Sequence, residues 1–323
     1  MSAADLFAAR LDDEHRAALD LFPPELVDLT DIARARTMSA ELLAAAAART
    51  PPTTGVVIED CVIPGDDRRP DLFLRLYRPE SIPNPAPAML FLHGGGFVMG
   101  SVALFDAQCC HLAAEGGVVV ASVEYRLAPE HPFPTPLEDS YAALAWLHGQ
   151  AAARGLAADR IGVGGTSAGA GLAAGLALLA RDRGALALTF QFLEAPMLDH
   201  RNCSQSSLAV DHPRTWNRAA NALAWKAYLG DAGASGSVSP YASPALAADL
   251  GGLAPAYICV SAADMFADEC FDYAQRLSRA GVKVEFHLYE MGFHGSQRAL
   301  PGAAVSQRWK ADSALAIRRL VSS

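Results

Sequence analysis

The feature that most constrains the fold is a series of short apolar runs separated by stretches of helical character. Between residues 88 and 290, runs of six or seven residues read AMLFLH, VVVASV, RIGVGG, TFQFLE, AYICVS and VEFHLYE. Most are separated by segments with helical spacing of apolar residues, such as 139–153 and 271–281. Alternation of this kind builds parallel strands, because each helix carries the chain back to the edge where the previous strand began. The predicted class is therefore α/β, with a parallel sheet wrapped by helices.

The N-terminal part of the chain follows a different pattern. Apolar residues recur at three- and four-residue intervals through residues 3–11 and again through 39–48, which predicts a helical segment over residues 1–50. Residues 56–64 and 72–79 are β-rich runs on either side of a charged turn. They are predicted to form an antiparallel hairpin.

Length and composition favour one large domain after this segment. A chain of 323 residues, 51% of them hydrophobic, can bury a large core without splitting. We expect residues 51–323 to form this domain. The segment 199–253 is longer and less regular than a crossover requires, and we expect it to carry an insertion that helps to roof the site.

Charge, cysteines and the N-terminus exclude several classes of protein. Acids outnumber bases by 35 to 26, and no Lys/Arg-rich cluster can follow a phosphate backbone, so nucleic acid is excluded as a partner. The six cysteines include no Cys-x-x-Cys pair and no histidine at zinc-ligand spacing, which predicts reduced thiols and no metal. The first residues are acidic rather than basic, and the longest uncharged helical stretch, 168–180, is too short to span a bilayer. We expect a soluble, cytoplasmic protein without stable membrane insertion.

A glycine-rich turn between a strand and a helix carries the first chemical signal. Residues 165–169 read Gly-Thr-Ser-Ala-Gly, which fits the G-x-S-x-G turn that lifts a serine hydroxyl clear of a sheet. The glycines are needed because the backbones approach too closely for side chains. Ser167 is the predicted nucleophile, and the helix N-terminus offers free N–H groups to a developing negative charge. A serine that merely caps the helix fits a lone motif equally well.

Three consecutive glycines, 94–96, directly follow an apolar run. Without side chains, their N–H groups can point into a cavity and stabilise a tetrahedral oxyanion. The predicted oxyanion-hole donors are Gly95 and Gly96, together with Ala168 after the serine. Apolar residues flank the glycines on both sides, which disfavours a flexible surface loop. His93 precedes the loop and is interpreted as a structural hydrogen-bonding residue.

His294 is the predicted general base, because it lies in a loop directly after a late strand. His287 alternates within that strand and is interpreted as a strand residue. With an acid to hold its tautomer, His294 takes the proton of Ser167, and an acyl-enzyme forms and is hydrolysed.

The predicted acid is Asp264, at the end of an apolar strand. It lies 97 residues after the predicted nucleophile and 30 before the predicted base, which is the Ser, Asp, His order of α/β-hydrolases. Asp199 also follows a strand and is the chief rival. Asp268 and Glu269 are interpreted as serving the start of the next helix, where acids are favourable.

Together these motifs resemble the hormone-sensitive-lipase-like esterases, the bacterial family IV group of α/β-hydrolases. The resemblance covers nearly the whole chain and is carried by HGGGFVMG, SVEYRLAPEHPFPTPLED, GTSAGAG, SPYASP, DMFADE and the final FHG. It implies the α/β-hydrolase fold, with a mostly parallel eight-stranded sheet flanked by helices. It also implies a helical cap, made of residues 1–50 and an insertion within about 199–253. The implied activity is hydrolysis of short- to medium-chain acyl esters without a cofactor, and a homodimer formed through an edge strand is compatible with it.

Three positions depart from the family pattern. Thr166 stands where many members have Asp, which places the chain in the GTSAG subgroup. Met265 replaces a usual proline after the predicted acid, and Ser296 replaces an aromatic residue that often follows the final His-Gly. None of these changes removes a predicted catalytic group. The resemblance also implies that residues 125–130, YRLAPE, form a structural segment near the site.

Phe97, Met99 and Trp216 are the leading candidates for the substrate pocket, and Leu21, Phe22 and Trp225 of the expected cap are further candidates, although aromatic residues at helical spacing also fit a core. The first two follow the glycine loop, and the third belongs to the expected cap. An amidase or a deacetylase of a specialised metabolite could use the same three catalytic residues. A ligand-binding protein that kept this fold is disfavoured, because all three are present. A nucleotide-binding protein is disfavoured because GVGGTSAG lacks both the G-x-G-x-x-G spacing and the lysine of a P-loop.

Overall fold

The computed structural model describes residues 7, 9–47, 54–67, 69–234, 236–290 and 292–322. Within these ranges, no helix combines the length and apolar character needed to cross a bilayer. The predicted helix over residues 3–11 lies largely outside the described residues.

The described strands form one eight-stranded sheet in the order β1-β2-β4-β3-β5-β6-β7-β8. The β1–β2 and β2–β4 pairs are antiparallel and the others are parallel. This confirms the mostly parallel sheet and the N-terminal hairpin predicted from the sequence. The strands are Val56–Ile63 (β1), Leu72–Pro79 (β2), Ala86–Leu92 (β3), Val119–Val123 (β4), Leu156–Thr166 (β5), Gln191–Glu194 (β6), Ala256–Ser261 (β7) and Val284–Tyr289 (β8).

Helices precede the sheet and connect its strands. The α-helices are Asp13–Leu19 (α1), Ile32–Ala47 (α2), Asp106–Gly116 (α3), Thr135–Gln150 (α4), Ala168–Arg183 (α5), Gln205–Ala209 (α6), Arg218–Ala234 (α7), Ala267–Arg279 (α8), Ser296–Ala299 (α9) and Ala304–Ser322 (α10). Short 3-10 turns occur at Pro24–Leu26, Leu29–Asp31, Ala103–Phe105 and Pro244–Leu246. Among the described residues, two helices thus precede β1, and two others lie between β6 and β7, where the insertion is expected.

Strand β3 shows why the central runs are apolar throughout rather than alternating. All of its residues are buried. Ala88, Leu90 and Leu92 pack in one core with apolar side chains of α4 and α5. Met89 and Phe91 point to the opposite face and pack with side chains of α3 and α10. A parallel sheet covered by helices on both faces excludes water from both sides of each strand, so each position favours an apolar residue.

A buried ion pair holds α4 against the segment after β4. Asp139 is fully buried and accepts three hydrogen bonds from Arg126, from its main-chain N–H at 3.0 Å and from its guanidinium at 2.8 and 2.7 Å. The neighbouring Glu138 pairs with Arg183 instead, and the side chains of that pair are 45% and 38% exposed. Adjacent residues of one helix thus form a buried and an exposed ion pair.

We predict that Asp139→Ala lowers the free energy of unfolding by about 3 kcal/mol, because Arg126 keeps its charge without a partner. Glu138→Ala is the matched control and should cost less than about 1 kcal/mol, since water screens an exposed pair. Urea denaturation of both variants measures the difference. Equal losses would show that burial of the Asp139 pair does not govern its contribution.

Candidate active site

Ser167 lies in the turn between the end of β5 and the start of α5. Its backbone adopts φ 58° and ψ −123°, a conformation that is strained for a residue with a side chain. A Cβ on Gly169 would lie 2.0 Å from the carbonyl oxygen of Leu92, and one on Gly165 would lie 2.6 Å from the same oxygen. Both positions therefore require glycine, as the motif predicted. The turn holds Ser167 by main-chain bonds as well, because its N–H donates to the carbonyl of Glu194 at 2.8 Å.

The structure brings the three predicted catalytic residues into one hydrogen-bonded chain. Nε2 of His294 lies 2.9 Å from Oγ of Ser167, and its Nδ1 lies 2.7 Å from Oδ2 of Asp264. The other carboxylate oxygen of Asp264 accepts the N–H of Phe266 at 3.0 Å. The Phe266 ring meets the imidazole edge to face, with centroids 5.0 Å apart. The carboxylate and the imidazole are thus each fixed by a further contact.

Asp199, the rival acid, is engaged elsewhere. Its carboxylate accepts hydrogen bonds from Nε and a terminal nitrogen of Arg201, the shortest at 2.6 Å. Although burial would raise the pKa of Asp199, the hydrogen bonds from Arg201 lower it overall. The position that faces His294 is occupied by Asp264.

The glycine loop passes beside the serine. A Cβ on Gly94 would come within 3.3 Å of the Cβ of Ser167, so the loop backbone is in contact with the turn. The N–H groups of Gly95, Gly96 and Ala168 have no hydrogen-bond partner among the described residues. Gly95 and Gly96 adopt φ 128° and 60°, which glycine tolerates best. Three main-chain donors therefore remain available near the hydroxyl.

His93 is a buried residue that directly precedes this loop and helps to hold it in place. Its ring stacks on Tyr125 with centroids 4.2 Å apart, and the Tyr125 hydroxyl donates to the His93 carbonyl at 2.6 Å. Burial lowers the pKa of His93 to about 4, so the ring is neutral near pH 7. This agrees with the structural role predicted from its position in the chain.

The structure explains the YRLAPE segment, which chemistry alone did not interpret. Besides the Tyr125 contact, the N–H of Ala128 donates to the carbonyl of Phe97 at 3.0 Å. Glu130 forms a bidentate ion pair with Arg36 of α2, with nitrogen–oxygen distances of 2.7 and 2.8 Å. Arg36 also donates to the carbonyls of Val98 and Ala128. The segment thus joins the glycine loop to an N-terminal helix.

The three candidate pocket residues differ in their contacts with the surrounding side chains. A Cβ on Gly96 would lie 2.2 Å from the ring of Trp216, so this indole rests directly on the glycine loop. Its Nε1 donates to Oδ1 of Asn221 at 3.2 Å, which fixes the plane of the ring. Phe97 is buried and stacks on Tyr228 with centroids 3.9 Å apart, and Met99 is also buried.

The acids that follow the predicted catalytic aspartate make longer-range contacts than expected. Asp268 and Glu269 do lie in the first turn of α8. Their carboxylates, however, accept the N–H groups of Ser206 and Leu198, each at 2.7 Å. They therefore connect α8 to the segment after β6 rather than acting only at the helix N-terminus.

A buried carboxylate beneath the serine turn was missed from the sequence. Glu194 ends β6 and accepts hydrogen bonds from Thr166 Oγ1 at 2.8 Å, Trp309 Nε1 at 2.8 Å and Ser313 Oγ at 3.3 Å, and from Gln108 Nε2. Burial raises the pKa of Glu194 although all four bonds lower it. The available signal was a single acid at the end of an otherwise apolar run. Its partners come from α3, β5 and α10, and no local pattern indicates them.

No group of three or more His, Cys, Asp or Glu side chains suited to a metal ion occurs in the part of the chain that the structure describes.

We predict that Glu194→Ala lowers the free energy of unfolding by about 3 kcal/mol or more, because several buried donors lose their acceptor. Thr166→Val removes one donor and should cost about 1 to 2 kcal/mol. Glu59→Ala breaks an exposed pair with Arg154 and should cost less than about 1 kcal/mol. Chemical denaturation ranks the three variants. A Glu194→Ala loss no greater than that of Glu59→Ala would contradict a structural role for this network.

Comparison with known proteins agrees with this geometry. The model of a family described as having the alpha/beta hydrolase fold matches residues 89–298. Esterase LipI of Mycobacterium tuberculosis is 38% identical over 225 residues, 68% of this chain and 69% of LipI. Carboxylesterase NlhH of the same species is 35% identical over 292 residues, 88% of each chain.

Solved structures extend the likeness over the whole fold. A bacterial heroin esterase superposes with a TM-score of 0.92 at 43% identity, and the match covers 98% of this chain and 99% of that one. Esterase LipW from Mycobacterium marinum gives a TM-score of 0.89 at 35% identity, over 98% of both chains. Since the matches include the sheet, the turn at Ser167 and the loop of His294, the chain belongs to the α/β-hydrolase fold family, among its hormone-sensitive-lipase-like (bacterial family IV) esterases.

Proposed function

We propose that the protein is a serine carboxylesterase of the GTSAG subgroup, which hydrolyses short- to medium-chain acyl esters through an acyl-enzyme on Ser167. The observation that carries the proposal is the hydrogen-bonded chain from Ser167 through His294 to Asp264. The subgroup assignment is supported by the bond from Thr166 to Glu194, which gives the threonine of the motif a defined partner.

The proposed mechanism begins with transfer of the Ser167 hydroxyl proton to Nε2 of His294, as Oγ attacks the ester carbonyl carbon. Asp264 accepts a hydrogen bond from Nδ1, which selects the tautomer with a free Nε2 and stabilises the imidazolium that forms. His294 then donates its proton to the leaving alkoxide, and the alcohol departs. Water, deprotonated by His294, attacks the acyl-enzyme, and His294 returns that proton to Oγ of Ser167 as the carboxylic acid leaves.

The developing oxyanion is proposed to be stabilised by the N–H groups of Gly95, Gly96 and Ala168. Their lack of other partners among the described residues supports this role, because a donor already bonded elsewhere cannot respond to new charge. The strained turn fixes Ser167 relative to these donors before substrate binds. Little reorganisation is then needed as the transition state forms.

A short acyl group is favoured by the aromatic residues beside the loop. Trp216 rests on Gly96, and Phe97 is held by Tyr228, so bulky rings stand next to the proposed oxyanion site. Among the relatives, a protein named ethyl acetate hydrolase from Pseudomonas putida is 37% identical over 216 residues, 66% of this chain and 67% of that one. Both observations support acids of few carbons as products.

We also propose that residues 1–50 and the insertion within about 199–253 form a cap over the domain of residues 51–323. A terminal nitrogen of Arg214 donates to the carbonyls of Asp20 and Phe22, which links the two segments. Contacts of this kind support a single lid made of both pieces.

Location and assembly are further parts of the proposal. All six cysteines are free thiols, which supports a cytoplasmic protein in a reducing compartment. A homodimer through the edge strand β8 is supported by Leu288, which is 52% exposed there, and by the neighbouring Phe271, which is 56% exposed. Exposed apolar side chains beside an unpaired strand edge favour a second copy of the strand.

We predict that Ser167→Ala lowers kcat for p-nitrophenyl acetate and butyrate by at least about 10³-fold, because the variant cannot form the acyl-enzyme. The matched control is Ser140→Ala, a buried serine of α4 whose hydroxyl donates to the carbonyl of Pro136. It should keep kcat within about two-fold. A loss of only a few-fold in Ser167→Ala would overturn the proposed nucleophile. Faster hydrolysis of anilides than of esters would instead indicate an amidase.

Trp216→Ala should shift the acyl preference toward longer chains, because it removes the ring that rests on the glycine loop. We expect the ratio of kcat/KM for decanoyl over acetyl p-nitrophenyl esters to rise on the order of ten-fold. The control is Trp146→Ala, which removes an indole of α4 that packs against the guanidinium of Arg154. It should leave the ratio unchanged. An unaltered ratio in Trp216→Ala would place the acyl chain elsewhere.

A further inference from the structure

A second groove lies between α7 and the segment that follows β6. Its volume is about 770 Å³, within the range of small-molecule sites in proteins. None of the residues proposed to act on the ester lines it. Its walls are the outward face of α7 and residues 200–211. The groove is therefore separate from the space around Ser167.

The floor of the groove is apolar. It includes Ala222, Trp225 and Leu229, which follow one another at three- and four-residue intervals on one face of α7, and Leu208 from α6. Leu208 is 44% exposed, whereas Trp225 and Leu229 are buried. Trp225 also has no hydrogen-bond partner for its Nε1 in the described part of the chain. Leu208 and Ala222, which is also exposed, therefore form the accessible apolar surface for a hydrocarbon or aromatic body, and Trp225 and Leu229 lie behind it.

The rim is positively charged, in a protein whose formal net charge is −9. Arg218 and Lys226 line the groove, are exposed, and form no ion pair within the described ranges. Arg201 also lines it but is paired with Asp199. Asp211 is the acid of the lining, so the two unpaired cations leave an excess of positive charge.

The arrangement of the cations along the helix favours a single anionic group. Arg218 and Lys226 are eight residues apart, which corresponds to about 12 Å along the axis of α7. Both side chains are long enough to reach one anionic group that lies between them. Arg218 is the first residue of α7, where the helix dipole adds positive potential. Its side chain donates one hydrogen bond, from Nε to the carbonyl of Asn202 at 3.4 Å. Its planar guanidinium suits the two oxygens of a carboxylate.

We propose that this groove binds an amphipathic organic acid, with the carboxylate held by Arg218 and Lys226 and the apolar body on Leu208 and Ala222. The site is independent of the proposed function, because it needs neither Ser167 nor His294. Trp225 nevertheless connects the groove to the glycine loop. The ring of Trp225 lies 5.2 Å from that of Phe97, which directly follows Gly96.

The test is calorimetric titration of octanoate into the Ser167→Ala variant at low salt. Octanol and octylammonium are titrated for comparison, because they have the same eight-carbon chain but carry no charge and a positive charge, respectively. We expect saturable one-to-one binding of octanoate and at least about ten-fold weaker binding of the other two. Arg218→Gln and Lys226→Gln should each weaken octanoate about five-fold, and added salt should do the same. Ala222→Glu should abolish binding, because it places a negative charge on the floor.

Lys283→Gln is the matched control, since it removes one exposed positive charge away from the groove. It should leave the affinity for octanoate within about two-fold. Equal binding of octanoate and octanol would overturn the proposal, as would unchanged affinity in the Arg218→Gln/Lys226→Gln double variant. No saturable binding up to about 10 mM would also overturn it. Loss of binding in Trp216→Ala but not in Ala222→Glu would place the acid beside residue 167. Because every titration uses a variant without the nucleophile, failure of the esterase proposal would leave these results unaffected.

Discussion

The close approach of backbones at the serine turn is the constraint on which the rest of the site depends. The first turn of α5 lies so near the end of β3 that Gly169 would place a Cβ 2.0 Å from the carbonyl of Leu92. This proximity sets the helix against the sheet and forces Ser167 into a strained conformation at the junction. The glycine loop continues directly from Leu92. One contact between two main chains therefore places both the hydroxyl and the proposed oxyanion donors.

A strained turn persists only where the surrounding structure holds it, and Glu194 provides that support from two sides. Its main-chain carbonyl accepts the N–H of Ser167, while its carboxylate accepts the hydroxyl of Thr166. The same carboxylate binds side chains from α3 and α10, on the face of the sheet opposite to α5. The turn is thus tied through one carboxylate to helices on that face, and Gln108 of α3 also donates directly to Oγ1 of Thr166 at 3.1 Å. A buried acid with four donors is costly to disrupt, which makes it suitable as an anchor.

The sequence was sufficient for features set by neighbouring residues or by chain order. The alternation of runs predicted the sheet, the glycine spacing predicted the turn, and the order of Ser167, Asp264 and His294 predicted residues that the structure places together. Features that depend on distant partners were not predictable. Glu194 meets Trp309 across 115 residues, and Arg36 meets Glu130 across 94. A single sequence does not indicate which residues form such pairs. Many other residues could accept a hydrogen bond from the same donor.

The second groove was likewise not predictable from the sequence, because only the folded structure shows that α7 has two different faces. Its inner face presents Ala224, which packs toward Gly96 and the glycine loop, and Tyr228, which stacks on Phe97. Its outer face carries the unpaired cations and the apolar floor. Trp225 belongs to the floor of the groove, and its ring also lies 5.2 Å from that of Phe97. The helical conformation of α7 is interrupted at Gly230, whose backbone adopts φ 49° and ψ −132°, so both faces belong to the uninterrupted stretch that precedes it. An acid on the outer face would therefore share this stretch of helix with the glycine loop without occupying the space around Ser167.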